Sequence, residues 1–363
     1  MKTSSWITSE AKVRRITASL RALLLMATAL LLVSCGDNKA DGVISQLSGE
    51  TMGTFWHVRL ATQLDAPAQA ALQRRIDVAL EAVNDSMSTY RDQSELMRFN
   101  HGTATTPQPV SDGLRRVVGK ALEISAQSDG VYDITVGPLV NLWGFGPIKR
   151  QDKPADSEIA EALQHVGYGK LQLTDAGLAK SDPQVFIDLS SIAKGYGVDV
   201  VAETLLDAGY TNFIVEIGGE VRASGSKYGA PWRVGIERPE QGLATGEGVE
   251  NIIAMNEKLP AMATSGNYRQ YAERGGEMAY HIVDPRDGRS HSSRLLSATV
   301  LAADCMTADG YATALMVLGD EKALEFADRY DLAAELILAG DDKQPFIIER
   351  SRAFRAAVQE EKP

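Results

Sequence analysis

The chain has 363 residues, of which 44% are hydrophobic and 23% charged, and its net charge at pH 7 is −11. This composition is ordinary for a globular protein, and the length suits one large domain or two small ones. Binding to a phosphate backbone needs a basic surface that an acidic chain lacks, so nucleic acid is excluded as a partner.

The N-terminus has the pattern of a secretory signal. Residues 22–33 form an uncharged, mostly apolar run of twelve that follows four basic residues. A bilayer core of about 30 Å needs about 20 residues, so this run is too short to span a membrane and indicates a signal peptide. The run leads into the sequence LVSC at 32–35, which resembles a bacterial lipobox. We therefore predict that Cys35 is lipidated as the first mature residue; the alternative is an ordinary signal peptide with an incidental cysteine.

These features divide the chain into four parts. We predict a signal peptide at 1–34, a polar tether at 35–46, the main domain at 47–350 and a polar tail at 351–363. Cys305 is the second of two cysteines. Lipid on Cys35 would leave Cys305 without a disulfide partner, and a buried, inert thiol is expected there.

Hydrophobic spacing along the main domain predicts both strands and helices. The predicted strands are 55–60, 185–189, 212–217, 232–237, 251–255, 297–302, 334–338 and 345–348, and the predicted helices are 66–84, 113–128, 192–208 and 320–331. Ser190 and Ser191 are expected to cap the helix that starts at 192. Residues 274–277 have the composition of a hairpin turn.

Strands and helices mix here without strict alternation, and several strand pairs resemble hairpins. The predicted fold class is therefore α+β, with mixed, largely antiparallel sheets and flanking helices. A glycine-rich dinucleotide fingerprint does not follow the first strand, so a Rossmann site is not supported. The chain also contains no serine elbow of the G-x-S-x-G type.

The stretch at 308–315, read ADGYATAL, has the clearest chemical pattern. If it is helical, Asp309 and Thr313 are four residues apart and share one face. A carboxylate beside a hydroxyl suits a hard cation such as Mg2+, which prefers oxygen ligands. The alternative is that Asp309 is an exposed or helix-starting charge and Thr313 packs in the core.

Eight short motifs, in order along residues 45–340, together resemble the ApbE family, the FAD:protein FMN transferases. They are TMGT at 51–54, STY and SE within 88–95, YDITVGPL at 132–139, DL and AKGY within 188–196, IGGE at 217–220, TSGNY at 264–268, His281 with DP at 284–285, and AD and TAL within 308–315. No single motif is decisive, but eight in order are difficult to obtain by chance. The lipobox agrees, because many family members are periplasmic lipoproteins.

The resemblance implies an α+β fold that binds FAD as substrate in a cleft, with Mg2+ near the pyrophosphate. The enzyme would split FAD, pass FMN to a threonine hydroxyl of a partner protein and release AMP. The implied acceptors are flavin-carrying subunits of membrane redox complexes, such as the sodium-pumping NADH:quinone reductase or a related electron-transport complex. The protein is then expected on the periplasmic side of a bacterial membrane, the inner membrane by family, held only by its lipid anchor.

The resemblance also assigns site residues. It implies that the side chains of Asp309 and Thr313 bind the metal together with carbonyl oxygens near Ser191 and Ala312. The implied FAD contacts are Met52, Tyr90, Val131, Tyr132, Asp133, Asp188, Lys194 and Val283. Tyr90 or Tyr132 is suited to stack on a flavin or adenine ring, and Lys194 to meet a phosphate.

His281 is predicted to take the proton of the attacking threonine. It is the one histidine within a matching motif, between the predicted hairpin and the rigid Asp284-Pro285 turn, and an imidazole pKa of about 6.5 suits a general base. The alternatives are a histidine that only hydrogen-bonds the turn, Asp284 as the base, or activation by Mg2+ alone.

Two other functions remain open at this point. An FAD pyrophosphatase would release FMN and AMP without an acceptor, because the same site serves transfer and hydrolysis. A non-catalytic FAD-binding lipoprotein would release no AMP at all.

Overall fold

A computed structural model describes residues 42–239, 248–267, 271–274, 276–290, 293–341 and 343–358. Ile44–Pro363 form one compact unit, and the description below concerns that unit. The predicted signal peptide and Cys35 lie outside the described residues. Within those residues, none of the helices is both long enough and apolar enough to cross a membrane.

The strands and helices alternate irregularly along the chain. The strands are β1 (Ser45–Thr51), β2 (Thr54–Leu60), β3 (Leu171–Thr174), β4 (Gly177–Lys180), β5 (Phe213–Ile217), β6 (Glu220–Ser224), β7 (Arg233–Glu237), β8 (Val249–Ala254), β9 (Ala261–Gly266), β10 (Tyr271–Arg274), β11 (Glu277–Tyr280), β12 (Leu295–Ala302), β13 (Ala333–Ala339) and β14 (Phe346–Arg350). The helices are α1 (Ala66–Met87), α2 (Glu95–His101), α3 (Asp112–Gln127), α4 (Gly137–Leu142), α5 (Asp156–Leu163), α6 (Ala193–Asp207), α7 (Cys305–Arg329) and α8 (Arg352–Ala357).

Eight strands of the described chain form one sheet in the order β1-β2-β5-β6-β9-β12-β13-β14. Every neighbouring pair in this sheet is antiparallel. The pairs β3-β4, β7-β8 and β10-β11 form separate two-stranded ribbons. The predicted α+β class with largely antiparallel sheets is confirmed.

Strands β12 and β13 of the large sheet are buried on both faces, whereas alternate side chains of β1 and β2 are exposed. Ala298 and Val300 of β12 pack in the core beneath α7, whereas Leu301 packs on the opposite face with Phe354 of α8. On the first face α6 contacts β5 and β6, and α7 contacts β9 and β12. Helices α6 and α7 therefore lie side by side on the sheet and contact each other.

The junction between α6 and α7 is unusually close at Gly195. A Cβ added at Gly195 would lie 2.4 Å from the carbonyl oxygen of Cys305 and 2.8 Å from the Cβ of Asp309. A further contact fixes the start of α7, because the Asp199 carboxylate accepts the backbone N–H groups of Cys305 and Met306 at 3.0 and 2.9 Å. These N–H groups have no partner within the helix, so Asp199 satisfies them and joins α6 to the first turn of α7.

Two sequence predictions near this junction are wrong. Residues 185–189 form no strand; Phe186 makes a single bridge to Val136, and the Asn100 side chain pairs with both backbone groups of Ile187. The Asn100 side-chain amide thus makes the hydrogen bonds that a neighbouring strand would otherwise make. Ser190 and Ser191 do not cap α6, which begins after Ile192 without a side-chain cap.

Other elements differ in extent from their predictions. The helix predicted at 320–331 is the second half of α7, after a kink at Gly319 with φ 73° and ψ −177°. The short elements β1, α2, α5 and α8 lie in stretches whose sequences gave no periodic signal. The hairpin predicted at 274–277 is confirmed by the antiparallel pairing of β10 with β11.

The close helix junction predicts opposite effects for two glycine substitutions. Gly195→Ala should lower the free energy of unfolding by about 2–3 kcal/mol, because its methyl group meets the α7 backbone. Gly119→Ala, in α3, should raise it by about 0.5–1 kcal/mol, since the new Cβ has only an ordinary 3.5 Å contact with Leu173. Chemical denaturation of both variants measures the two changes, and equal effects would contradict the packing.

Candidate active site

Helix α7 carries the predicted pair on one face, with Asp309 buried and Thr313 half-buried. The stretch 308–315 is helical and Asp309 is only 2% exposed, which excludes the alternative of an exposed charge. One carboxylate oxygen of Asp309, Oδ2, accepts the backbone N–H of Gly195 at 2.9 Å. One turn further on, the Thr313 hydroxyl lies 3.0 Å from the Ser265 hydroxyl of β9. Ala312, between them, is fully buried.

A second charge lies beside Asp309. The Lys194 ammonium, in the first turn of α6, lies 2.5 Å from Oε1 of Glu220 and 3.8 Å from Oδ1 of Asp309. Both carboxylate side chains are buried, with 4% and 3% of their surface exposed, whereas 31% of the Lys194 side chain is exposed. Two carboxylates and one ammonium leave this group of three with one excess negative charge.

Burial and mutual attraction govern the protonation of these groups. Burial raises the pKa of Glu220 to about 7 and also raises the pKa of Asp309. Burial alone would lower the pKa of Lys194, but Asp309 and Glu220 outweigh it and hold this pKa above its usual value. A cation bound here would relieve the excess negative charge.

Tyr132 and Ser191 meet at the start of α6. The Tyr132 hydroxyl and the Ser191 hydroxyl are 2.9 Å apart, and burial raises the pKa of Tyr132. The Asp188 carboxylate accepts the N–H of Ser190 at 2.8 Å. Asp188 thus fixes the turn that presents Ser191.

Asp133 is fixed by hydrogen bonds within the protein, and Val131 is buried. The Asp133 carboxylate accepts the backbone N–H and the hydroxyl of Thr135, each at 2.7 Å, and the N–H of Tyr168 at 2.6 Å. Burial raises its pKa, although these hydrogen bonds oppose the rise. Val131 is buried next to it. Any FAD contact made by this loop would therefore come from a turn that these hydrogen bonds hold in place.

Met52 lies against helix α6, whereas Tyr90 is exposed. Met52 has a positive φ of 51° in the turn between β1 and β2, and its Cε would lie 2.9 Å from a Cβ at Gly197 of α6. It therefore reaches the same helix as Lys194. Tyr90 is 64% exposed, and its hydroxyl donates to the carbonyl of Phe145 at 3.4 Å.

The His281 turn is connected to Tyr90 through Phe145. The rings of Phe145 and His281 meet edge to face, with centroids 6.5 Å apart. Val283 is buried in a small core with Trp143. Asp284, the alternative base, forms an ion pair with Arg286 at 2.6 Å. That pairing commits Asp284 to the turn.

The oxygen donors around Asp309 fit a hard cation. Among the described residues no three His, Cys, Asp or Glu side chains converge on a common point. A cation site here would therefore combine the Asp309 carboxylate with hydroxyl and carbonyl oxygens, which is a donor set that Mg2+ accepts. The buried Oε2 atom of Glu220 has no hydrogen-bond partner within the described chain, which adds unsatisfied negative charge nearby.

A separate cavity of about 350 Å3 lies beside the Gly319 kink and is lined on one side by Ile282 and Asp284. It borders the His281 turn, but neither Asp309 nor Lys194 lines it. The candidate cation site at Asp309 is therefore separate from this cavity.

Glu220 is the site residue that sequence reasoning missed. Its signal was present, because it ends the IGGE motif at 217–220. Its pairing with Lys194 depends on β6 lying beside α6, and sequence spacing does not reveal that contact.

Comparison with known proteins gives consistent matches. The family model described as ApbE family matches residues 52–337. A curated relative from Vibrio cholerae, named FAD:protein FMN transferase, is 44% identical over 88% of this chain and 94% of its own length. A relative of the same name from Haemophilus influenzae is 43% identical over 93% of this chain and 97% of its own length.

Solved structures agree with the sequence matches. Flavin transferase ApbE from Vibrio cholerae superposes with a TM-score of 0.77 at 42% identity, covering 87% of this chain and 100% of that structure. The apo form of flavinyl transferase ApbE from Pseudomonas stutzeri gives a TM-score of 0.78 at 35% identity, over 87% of this chain and 97% of that structure. The resemblance inferred from the eight motifs is therefore confirmed, and the chain belongs to the ApbE family.

Proposed function

We propose that this protein is a Mg2+-dependent FAD:protein FMN transferase that attaches FMN to a threonine hydroxyl of a partner flavoprotein subunit and releases AMP. The observation that carries the proposal is the pair of buried carboxylates, Asp309 and Glu220, with the partly exposed Lys194 between them, in a chain 44% identical to a relative of that name. Phosphoryl transfer is catalysed mainly by positioning and charge stabilisation, and these residues supply both.

Each residue has a role in this reaction. Asp309 and Thr313, with carbonyl oxygens near Ser191 and Ala312, would hold Mg2+, which neutralises charge on the pyrophosphate. Lys194 presents its ammonium to a phosphate oxygen from the exposed part of its side chain. The expected FAD contacts from Met52, Tyr90, Val131, Tyr132, Asp133, Asp188 and Val283 come from loops next to α6 and the His281 turn.

The transfer step exchanges one bond to phosphorus for another. The threonine oxygen bonds to the phosphorus of the FMN half, the bond from that phosphorus to the bridging oxygen breaks, and AMP leaves with the electron pair. His281 accepts the proton of the threonine hydroxyl. Its place on a turn held by Asp284 and Arg286 supports this role.

The location and partners complete the proposal. We place the protein on the periplasmic side of a bacterial membrane, held there by lipid on Cys35. The acceptors would be flavin-carrying subunits of a membrane redox complex, such as a sodium-pumping NADH:quinone reductase. An acceptor peptide incubated with FAD and Mg2+ would gain the mass of FMN only when the protein is present. Release of FMN and AMP without that gain would indicate an FAD pyrophosphatase, and release of neither would indicate a non-catalytic binder.

Asp309→Asn should lose Mg2+-dependent transfer by about 100-fold or more at limiting Mg2+, since it removes the carboxylate charge of the metal site. FAD binding should weaken but persist. Glu203→Gln, which removes an exposed carboxylate of α6 paired with Arg116, is the matched control. Turnover by mass spectrometry and FAD binding by fluorescence measure the two effects, and unchanged turnover would refute the assignment.

His281→Gln and His281→Ala should each lower kcat by about 100-fold or more, because the threonine hydroxyl then lacks its base. FAD affinity should stay near that of the wild type. His165→Gln, at a histidine paired with Asp182 outside the site, serves as control. A loss below about threefold would remove His281 from the mechanism and favour Asp284.

Cys35→Ala should prevent lipidation, because the thiol that carries the lipid is gone. The variant should accumulate as a soluble or uncleaved form, whereas the wild type stays with the membrane fraction. Mass spectrometry of the mature N-terminus checks this. A wild-type mature start at a residue other than Cys35 would show that the lipobox interpretation is wrong.

A further inference from the structure

Glu220 is held in a buried position by the backbone around it. It is the first residue of β6 and follows a two-residue turn, Gly218-Gly219, in which both φ angles are positive, at 60° and 104°. Glu220 is 3% exposed and pairs with Ile217 across the turn. A buried carboxylate carries a large desolvation cost, and that cost calls for a compensating role.

The two carboxylate oxygens of Glu220 have different contacts. Oε1 takes the Lys194 ammonium at 2.5 Å, and Oε2 is buried without a partner in the described chain. Lys194 has a second carboxylate within reach, because Asp309 Oδ1 lies 3.8 Å from the ammonium. The ammonium is therefore hydrogen-bonded to Glu220 and only loosely paired with Asp309.

This asymmetry has a consequence for Asp309. Oδ2 of Asp309 accepts the Gly195 N–H at 2.9 Å, whereas the Lys194 ammonium is 3.8 Å from Oδ1, so Oδ1 is the less committed oxygen for a cation. A lysine side chain is long and flexible, and without Glu220 its ammonium would move to the nearest remaining negative charge. That charge is Asp309, whose Oδ1 would then be taken by Lys194.

We propose that Glu220 is a positioning residue that holds Lys194 away from Asp309 and so keeps Asp309 available to a divalent cation. The inference rests on the metal site of the proposed function. It concerns cation affinity rather than the chemical step, because Glu220 acts through Lys194.

Charge counting gives an order of affinities for the cation. With both carboxylates ionised, the wild-type group of two carboxylates and one ammonium carries −1. Glu220→Gln reduces this to zero and frees Lys194 to pair with Asp309. Lys194→Met removes the ammonium and leaves the group with a charge of −2 when both carboxylates are ionised. The double variant returns the group to −1 and contains no lysine that could occupy Asp309.

The test is Mn2+ binding to the purified full chain, measured by the electron paramagnetic resonance of free Mn2+, without FAD or acceptor. Glu220→Gln should raise the Kd for Mn2+ by about tenfold or more, because one negative charge is lost and Lys194 can then occupy Oδ1 of Asp309. Lys194→Met should bind at least as tightly as the wild type. The double variant should return to within about threefold of the wild type, since its net charge is the same.

Each result decides between the alternatives. If the double variant binds as weakly as Glu220→Gln, then Glu220 is itself a ligand and the positioning role is refuted. Equal Kd values for Glu220→Gln and the wild type would also overturn it. A wild type that binds no Mn2+ would overturn the metal site as well, whereas a wild type that binds Mn2+ but transfers no FMN would overturn only the proposed function.

Two controls keep the comparison sound. Glu203→Gln removes an exposed carboxylate of α6 that pairs with Arg116, and its Kd should stay near that of the wild type. Circular dichroism checks the fold of each variant. If Glu220→Gln alone does not fold, Lys194→Met and the double variant are compared. A difference of about tenfold or less, as one charge predicts, supports positioning, whereas complete loss of binding in the double variant overturns it.

Discussion

The close packing of α6 on α7 is the constraint on which the candidate site depends. Gly195 lets the two backbones approach, and its N–H then binds the Asp309 carboxylate directly. Asp199, one turn along α6, binds the first N–H groups of α7. The same helix pair therefore sets where α7 begins and which way Asp309 is turned. Any larger residue at position 195 would separate the carboxylate from Lys194 as well as the helices from each other.

The charges at this junction show how two buried carboxylates are accommodated side by side. Buried carboxylates are costly unless they are paired, and Lys194 lies against Glu220 and more loosely against Asp309. In the proposed reaction the remaining negative charge would favour a cation, and the partly exposed Lys194 would give a bound phosphate a positive contact. The cation and phosphate of the proposed reaction are thus attracted by opposite ends of one small group of residues.

Sequence reasoning predicted what depends on local spacing. Asp309 and Thr313 share a face because four residues make about one helical turn, and that spacing holds in any fold. The α+β class followed in the same way from hairpins and periodic segments. The TSGNY motif at 264–268 is one of the eight, but its Tyr268 lies outside the described residues.

The contacts that sequence could not predict are those between distant segments. The pairing of Lys194 with Glu220 joins a helix to a strand, and it arises only when β6 lies beside α6. Residues 185–189 read as a strand because they are apolar, but the Asn100 side chain takes the place of a partner strand. Ser191 read as a helix cap, yet its hydroxyl lies against Tyr132. In each case a tertiary contact outweighed the local preference.

The position of a bound cation tests the proposed metal site directly. Crystals soaked in Mn2+ would locate the ion by anomalous scattering. We expect a peak in contact with the carboxylate of Asp309 and the hydroxyl of Thr313, with the Lys194 ammonium still on Glu220. A peak at the cavity beside Gly319, or a Lys194 ammonium bound directly to Asp309 with no peak there, would contradict it.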